Sequence, residues 1–407
     1  MQRQLTYLGL LGYVFIGTAA VLVPSIMPLI TEDYSIAGLT LTTIGLLFPA
    51  RAIGGILGNL LSGVASDLLG RQRLVWLSAL LLAASFGLST LAQPWLFFLV
   101  AFALVSAAQG ALSTGINAMI ADANQEARSR ALNLLHGIYG VGAAISPLII
   151  GYILGQGVAW RWTLAGTGLI WLLYGGLVYW LYGNGGKREG QGEEVKGHGS
   201  EGTGDENKTQ SKALTLSMLW QAPFLAVALI AFIYNGVAYS LLNWVALFMQ
   251  ESAGFSIFAS VSVISVFYAA LTLGRFACTA FSESLGYART LLLLAVVVTV
   301  TYPLVVMKGN SAVMILGVFC TGLGLSGLFP TALAYGSRLY PEQTGTLTGT
   351  LNVAMTLGAM IPPLWTGFLA EQWGFQTALG INFVMVPPLI LIAFYLRQVE
   401  KTAEKTV

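Results

Sequence analysis

Two apolar stretches of the sequence carry a polar side chain at every fourth position, a spacing that places side chains on one face of an α-helix. The two sets are Gln109, Ser113 and Asn117, and Asn235, Tyr239 and Asn243. Amides and hydroxyls are costly inside a membrane, so they either line a cavity or hydrogen-bond to a neighbouring helix. The pattern therefore predicts recognition of a hydroxyl-rich solute, with adhesion between helices as the alternative.

Four further polar or aromatic residues lie within apolar stretches. Arg51 lies roughly 18 Å along a helix from the end of its stretch, which indicates either contact with an anion or bonds to backbone carbonyls. A histidine side chain can titrate near neutral pH, so for His136 a proton-linked role competes with a structural one. Trp244 is predicted to stack on a sugar ring or to lie at the membrane interface. The candidate substrate-binding residues are Arg51, Gln109, Ser113, Asn117, His136, Asn235, Tyr239, Asn243, Trp244 and Asn352.

Enzymatic chemistry is not indicated. The sequence has only two histidines. It has no H-E-x-x-H motif, no nucleotide-binding glycine loop and no pair of carboxylates in the middle of an apolar stretch. We therefore predict no catalytic residue, no metal site and no cofactor, and a receptor that transports nothing is a further alternative.

The bulk composition indicates a membrane protein. Of 407 residues, 56% are hydrophobic and only 9% are charged, with a mean hydropathy of +0.76, whereas soluble proteins carry about 25% charged residues. A helix needs about 20 apolar residues to cross a bilayer. Twelve stretches meet this requirement, at residues 5–29, 39–62, 74–93, 95–120, 131–154, 162–182, 222–249, 256–281, 288–308, 311–336, 345–370 and 375–397.

The chain divides into two related halves. Residues 183–216 are charged and rich in glycine, which is typical of a flexible linker, and they separate six spans in residues 1–182 from six in residues 217–407. Asp67 and Glu283 are separated by the same number of positions as Arg73 and Arg289. Such duplication is typical of secondary transporters, whose substrate site lies between the repeats.

The distribution of basic residues predicts the orientation. Fifteen of the 19 Lys and Arg residues fall on the side of the termini and linker, and two, Arg161 and Lys308, fall on the other side. Cytoplasmic loops carry the excess of basic residues. We therefore expect a multi-pass protein of the plasma membrane with both termini and the linker in the cytoplasm.

Several motifs resemble those of the major facilitator superfamily. The loop G-V-A-S-D-L-L-G-R-Q-R, residues 63–73, resembles its signature G-x-x-x-D-x-x-G-R-x-R, and F-S-E-S-L-G-Y-A-R, residues 281–289, is a degraded copy. Residues 131–147 and 322–331 are similar to the fifth and tenth spans of the fucose-permease-like branch, whose members transport sugars.

This resemblance implies an all-α fold of twelve transmembrane helices in two pseudo-symmetric halves that rock about a central cavity. It also implies a conformational latch that closes the cytoplasmic side. Asp67 would face the start of the eleventh span, and Glu283 would face the start of the fifth. A carboxylate at a helix N-terminus is stabilised by the helix dipole. The latch residues are Gly63, Asp67, Gly70, Arg71, Arg73, Glu283 and Arg289.

The sequence departs from the fucose-type pattern at the residues that couple transport to protons. The first span has no carboxylate, and Ser113 occupies the position of an acid in the fourth. Facilitated diffusion, exchange, or coupling through His136 or Asp122 stay open. We expect a monomer in the bilayer that binds a small molecule, with a coupling proton or other ion as a further partner and no nucleic acid. Alternative functions are an organic-anion carrier and a drug or lipid efflux antiporter.

Overall fold

The structure is a computed structural model that describes residues 2–125, 128–183, 218–307 and 309–406. Within these ranges every regular element is helical, as the sequence predicted. The helices of the first half are α1 (Gln2–Ile36), α2 (Leu41–Gly45), α3 (Leu47–Leu69), α4 (Arg71–Leu91), α5 (Trp95–Ala123), α6 (Arg128–Gly155) and α7 (Trp160–Val178). The predicted linker lies outside the described residues except for Gly183, which ends a π-helical turn.

The second half repeats this plan. Its helices are α8 (Ala222–Ala253), α9 (Ile257–Leu285), α10 (Tyr287–Val305), α11 (Ser311–Ser326), α12 (Leu328–Leu339), α13 (Thr344–Asn382) and α14 (Pro388–Thr406). Within the halves, α1 packs on α6 and α3 on α5, while α8 packs on α13 and α9 on α11. The halves meet where α6 packs on α9, where α1 packs on α8, and where α2 and α3 pack on α13.

Eleven segments of the described chain are long and apolar enough to cross a membrane, and ten of them match single predicted spans. The eleventh, Pro341–Thr402, has 62 residues, which would give a helix about 93 Å long. The hydrocarbon core is only about 30 Å thick. The segment is interrupted at Gly374, with φ 77° and ψ 159°, much like Gly70 between α3 and α4, with φ 79° and ψ 152°. We interpret it as two successive spans.

Helices α3 and α5 approach each other closely through glycines of α3. A Cβ atom at Gly54 would overlap the carbonyl of Ala103, and one at Gly58 would overlap that of Ala107. Small residues allow such backbone approach between membrane helices. This contact fixes the positions of the two helices that carry Arg51 and Asn117.

We expect Gly58→Ala to lower the midpoint of thermal unfolding of the purified protein, because the added methyl group has no space and overpacking typically costs about 1–3 kcal/mol. Gly87→Ala is the matched control, since a Cβ atom there would meet nothing within 4 Å. Equal midpoints for the two variants would contradict the close packing of α3 on α5.

The predicted latch residues gather at one end of the helix bundle. Gly70 and Gly286 each form a single-residue turn with positive φ between consecutive helices, a conformation that glycine adopts without strain. Arg71 forms an ion pair with Asp122, and its Nη1 donates to the Ala118 carbonyl oxygen at 3.1 Å. Arg71 therefore ties the start of α4 to the end of α5 within one half.

The contacts that the latch would make between the halves stay a prediction. Glu283 and Arg130 are exposed, and the ion pairs among the described residues are Arg71–Asp122 and Arg338–Glu400. The side chain of Asp67 lies outside the part of the chain that the structure describes. Arg73 and Arg289 are exposed, and a Cβ atom at Gly63 would meet nothing within 4 Å.

Candidate functional site

Two contacts of α5 define the ends of the bundle. Near its last turn, Asp122 pairs with Arg71 beside Gly70, and we call this the Gly70 end. At its first residue, Trp95 donates from Nε1 to the Thr43 carbonyl oxygen at 3.2 Å, and we call this the Thr42 end.

A cavity of about 810 Å³ lies between the two halves. Helices α3 and α5 form one wall, and α8 and α13 form the other. Its volume is in the range of small-molecule sites, about 300–1,000 Å³. Seven of the ten predicted binding residues line it, namely Arg51, Ser113, Asn117, Asn235, Tyr239, Asn243 and Asn352.

Some of the polar lining is already occupied by bonds within the protein. Asn117 donates from Nδ2 to the Tyr13 hydroxyl and to the Ser113 carbonyl oxygen at 2.9 Å. The hydroxyls of Ser113 and Tyr13 are 3.0 Å apart. Asn235 donates from Nδ2 to the Met355 carbonyl oxygen at 2.8 Å. These groups join neighbouring helices, which is the adhesive role that the sequence left open.

Other lining groups make no hydrogen bond within the part of the chain that the structure describes. Arg51, Tyr239, Asn243 and the side chain of Asn352 make no hydrogen bond with any described residue. The Oδ1 atom of Asn243 is buried without a partner among the described residues, and leaving such an atom unpaired costs about 1–3 kcal/mol. Because Asn243 and Tyr239 are four residues apart on α8, their side chains share one face. The polar side-chain groups of these four residues are the part of the lining that no described residue engages in a hydrogen bond.

The Thr42 end of the cavity is closed by contacts between the halves. The rings of Phe48 and Trp244 meet edge to face with centroids 5.5 Å apart. Trp244 is fully buried, and its Nε1 donates to the Pro363 carbonyl oxygen at 2.9 Å. The expected stacking of Trp244 on a sugar is therefore corrected for this conformation, since the ring fills the interface between the halves and does not line the cavity.

Hydrogen bonds reinforce this closure. The backbone nitrogen and the hydroxyl of Thr42 donate to Oε2 of Glu371 at 3.0 and 2.6 Å. Leu41 and Leu364 approach the other half at Gly367 and Gly45 respectively. The cavity extends from the level of Phe48 toward the Gly70 end, as far as Leu60 on α3 and Asn352 on α13.

The remaining candidates lie outside the cavity lining. Gln109 donates from Nε2 to the Ile16 carbonyl oxygen at 3.4 Å and so joins α5 to α1. His136 packs edge to face on Tyr13, with ring centroids 5.6 Å apart. Arg275, a second arginine within a membrane span, also lies outside the lining. It donates from Nη2 to the Tyr234 hydroxyl at 3.3 Å.

Three tyrosines and one asparagine at the site were not predicted from the sequence. Tyr13 holds Ser113 and Asn117, while Tyr139 and Tyr268 interact with both Arg51 and Arg275. Asn59 also lines the cavity. A tyrosine within an apolar span could have indicated these positions, because its buried hydroxyl needs a polar partner. Among the described residues, no group of three His, Cys, Asp or Glu side chains could hold a metal ion.

Comparison with known proteins identifies the family. The model of the Major Facilitator Superfamily matches residues 9–361 and 263–407. A hexuronate transporter of Bacillus subtilis (strain 168) is 25% identical, with 85% of this chain and 83% of that protein covered. The glucose/mannose transporter GlcP of the same strain is 22% identical, with 96% and 94% covered.

A solved structure with the same fold is that of a bacterial homolog to the human lysosomal transporter Spinster, in an inward-facing and unoccupied conformation. Its TM-score is 0.78 at 13% sequence identity, with 98% of this chain and 97% of that chain covered.

Proposed function

Since the chain belongs to the major facilitator superfamily, we propose that this secondary transporter carries a small polar solute, a sugar or a related compound, across the membrane by alternating access. The observation that carries the proposal is the cavity of about 810 Å³ between the halves, which is lined by amide and hydroxyl groups and closed at the Thr42 end. Rocking of the halves would open that end and close the other.

The chemistry of the lining supports a polar solute over a lipid or a hydrophobic drug. Tyr239, Asn243 and Asn352 offer hydroxyl and amide groups with no partner among the described residues, and such groups match sugar hydroxyls. Two relatives are by name transporters of carbohydrates, a hexuronate in one and glucose and mannose in the other. A hydrophobic cation would bring its charge close to Arg51 and is disfavoured.

We further propose that the protein lies in the plasma membrane with its Gly70 end in the cytoplasm. The excess of Lys and Arg in the loops at that end supports this orientation. The conformation described would then be open to the cytoplasm, and the latch would be released. The protein is expected to act as a monomer.

His136 is the main candidate for coupling transport to a proton, because the other candidate, Asp122, is already paired. Asp122 is paired with Arg71 at the Gly70 end, so it is less available to carry a proton through the cavity. His136, beside Tyr13, is the remaining titratable candidate among those that the sequence raised, and uniport or exchange without a proton is the alternative.

A thermal-unfolding screen of the purified protein tests the substrate class. Sugars and polyols, organic anions and hydrophobic cations are the three sets of compounds, and a compound that binds the folded protein raises the unfolding midpoint. We expect stabilisation by hydroxylated polar compounds. Stabilisation by hydrophobic cations alone would support the efflux alternative and overturn the proposal.

A further inference from the structure

The cavity contains a cation that the described protein does not neutralise. Arg51 lines it from α3 and makes neither a hydrogen bond nor an ion pair with any described residue. The groups that interact with its charge are the hydroxyls of Tyr139, Tyr239 and Tyr268. Tyrosine hydroxyls are neutral at physiological pH, so they leave the positive charge of Arg51 in place.

An arginine in this position is costly unless something pairs with it. Its guanidinium does not lose its charge in proteins and offers five N–H donors. Charged side chains within membrane spans typically pair with one another or with backbone carbonyls. Arg51 has neither kind of partner among the described residues, and its place on the cavity wall leaves a bound solute to supply one.

A second cation lies close to the same tyrosines. Arg275 of α9 donates to Tyr234 and lies near Tyr139 and Tyr268, and it forms no ion pair with any described residue. Arg275 does not line the cavity, but its positive charge adds to that of Arg51 and makes the potential there more positive. This potential attracts an anion and repels a cation.

From this arrangement we propose that the transported solute is a small hydroxylated carboxylate, which Arg51 binds through its carboxylate group. The planar fork of a guanidinium matches the two oxygens of a carboxylate. Tyr239 donates its hydroxyl to the same group, and the amides of Asn243 and Asn352 bind the hydroxyls of the solute. The inference rests on the proposed function and names the charge of its substrate.

Matched pairs of one anion and one neutral compound test the charge of the solute. The pairs are gluconate and glucitol, glucuronate and glucose, and lactate and 1,2-propanediol, and the readout is the midpoint of thermal unfolding of the full-length protein. We expect the anion of at least one pair to raise the midpoint while its neutral counterpart does not. Stabilisation by neutral members alone would overturn the anionic substrate while leaving a polar-solute transporter in place. No stabilisation by any of the six compounds would also overturn the inference.

Variants of Arg51 test whether this residue binds the anion that stabilises the wild-type protein. Arg51→Gln should weaken the affinity of the protein for this anion at least tenfold, because hydrogen bonds to charged groups are stronger than those between neutral groups. Arg338→Gln is the control, since it removes the same charge from an exposed side chain, and its affinity should be unchanged. Wild-type affinity in Arg51→Gln would overturn the assignment.

A second substitution keeps the test decisive if Arg51→Gln does not fold. Arg51→Lys retains the charge without the planar fork. It should bind the anion more weakly than the wild type does and still prefer it to the neutral counterpart. Equal affinity for both members of the pair would overturn the proposal.

Discussion

A disulfide between Gly45→Cys and Leu364→Cys is expected to abolish transport, and reduction should restore it. A Cβ atom at Gly45 would lie 3.7 Å from the Leu364 Cα atom, which keeps the two Cα atoms below about 6.8 Å, the upper end of the range for a disulfide. The bond would hold the Thr42 end closed, so the halves could not complete the exchange between conformations. The physical reason is that these two residues belong to different halves.

The measurement is uptake into proteoliposomes of the compound that stabilises the wild-type protein most. The two native cysteines, Cys278 and Cys320, are first replaced by alanine. Each single-cysteine variant under the same oxidant is the control and should keep its uptake. Undiminished uptake by the cross-linked protein would contradict a moving closure at the Thr42 end.

Asn243→Ala is expected to weaken solute binding about tenfold, whereas Asn117→Ala should leave the affinity within about twofold of the wild type. Asn243 has no hydrogen-bond partner among the described residues, so under the proposed function its loss removes a contact to the solute. Asn117 is bonded to Tyr13 and to the Ser113 carbonyl, so its loss should instead lower stability by about 1–3 kcal/mol.

Calorimetric titration and thermal unfolding of both variants separate the two effects. Both asparagines line the same cavity and undergo the same change, so each is the matched control for the other. Wild-type affinity in Asn243→Ala would show that this side chain joins helices. A loss in Asn117→Ala as large as that in Asn243→Ala would refute the division of the lining into bonded and free groups.

The fold followed from the sequence because the bilayer itself sets the length of each span. Runs of about 20 apolar residues predict helices of the required length, and the described helices coincide with them. The predicted gap between the last two spans, residues 371–374, includes Gly374, which interrupts α13.

The site could be predicted only in part. Of the six residues with four-residue spacing, Gln109 lies outside the cavity lining, and the five that line it are Ser113, Asn117, Asn235, Tyr239 and Asn243. The spacing could not distinguish bonded groups from free ones, because the partners of Asn117 and Asn235 lie on other helices.

The packing role of Trp244 could have been predicted from helical geometry. Adjacent residues of a helix do not face the same direction, so a side chain that follows Asn243 is turned away from the face that Asn243 shares with Tyr239. The structure accordingly places Trp244 against Pro363 and Phe48. Helical geometry alone would have favoured the packing role.

The most direct test of a cavity that is open at the Gly70 end and closed at the Thr42 end is the labelling of a single cysteine at Val353. This residue lines the cavity and is 57% exposed. Val353→Cys, in a background without Cys278 and Cys320, should react with a membrane-impermeant maleimide added to the Gly70 side of sealed vesicles and should be protected from the Thr42 side. Gly254→Cys, which follows the end of α8, is the control and should react from the Thr42 side. Equal reaction of Val353→Cys from both sides, or reaction from the Thr42 side alone, would contradict the account.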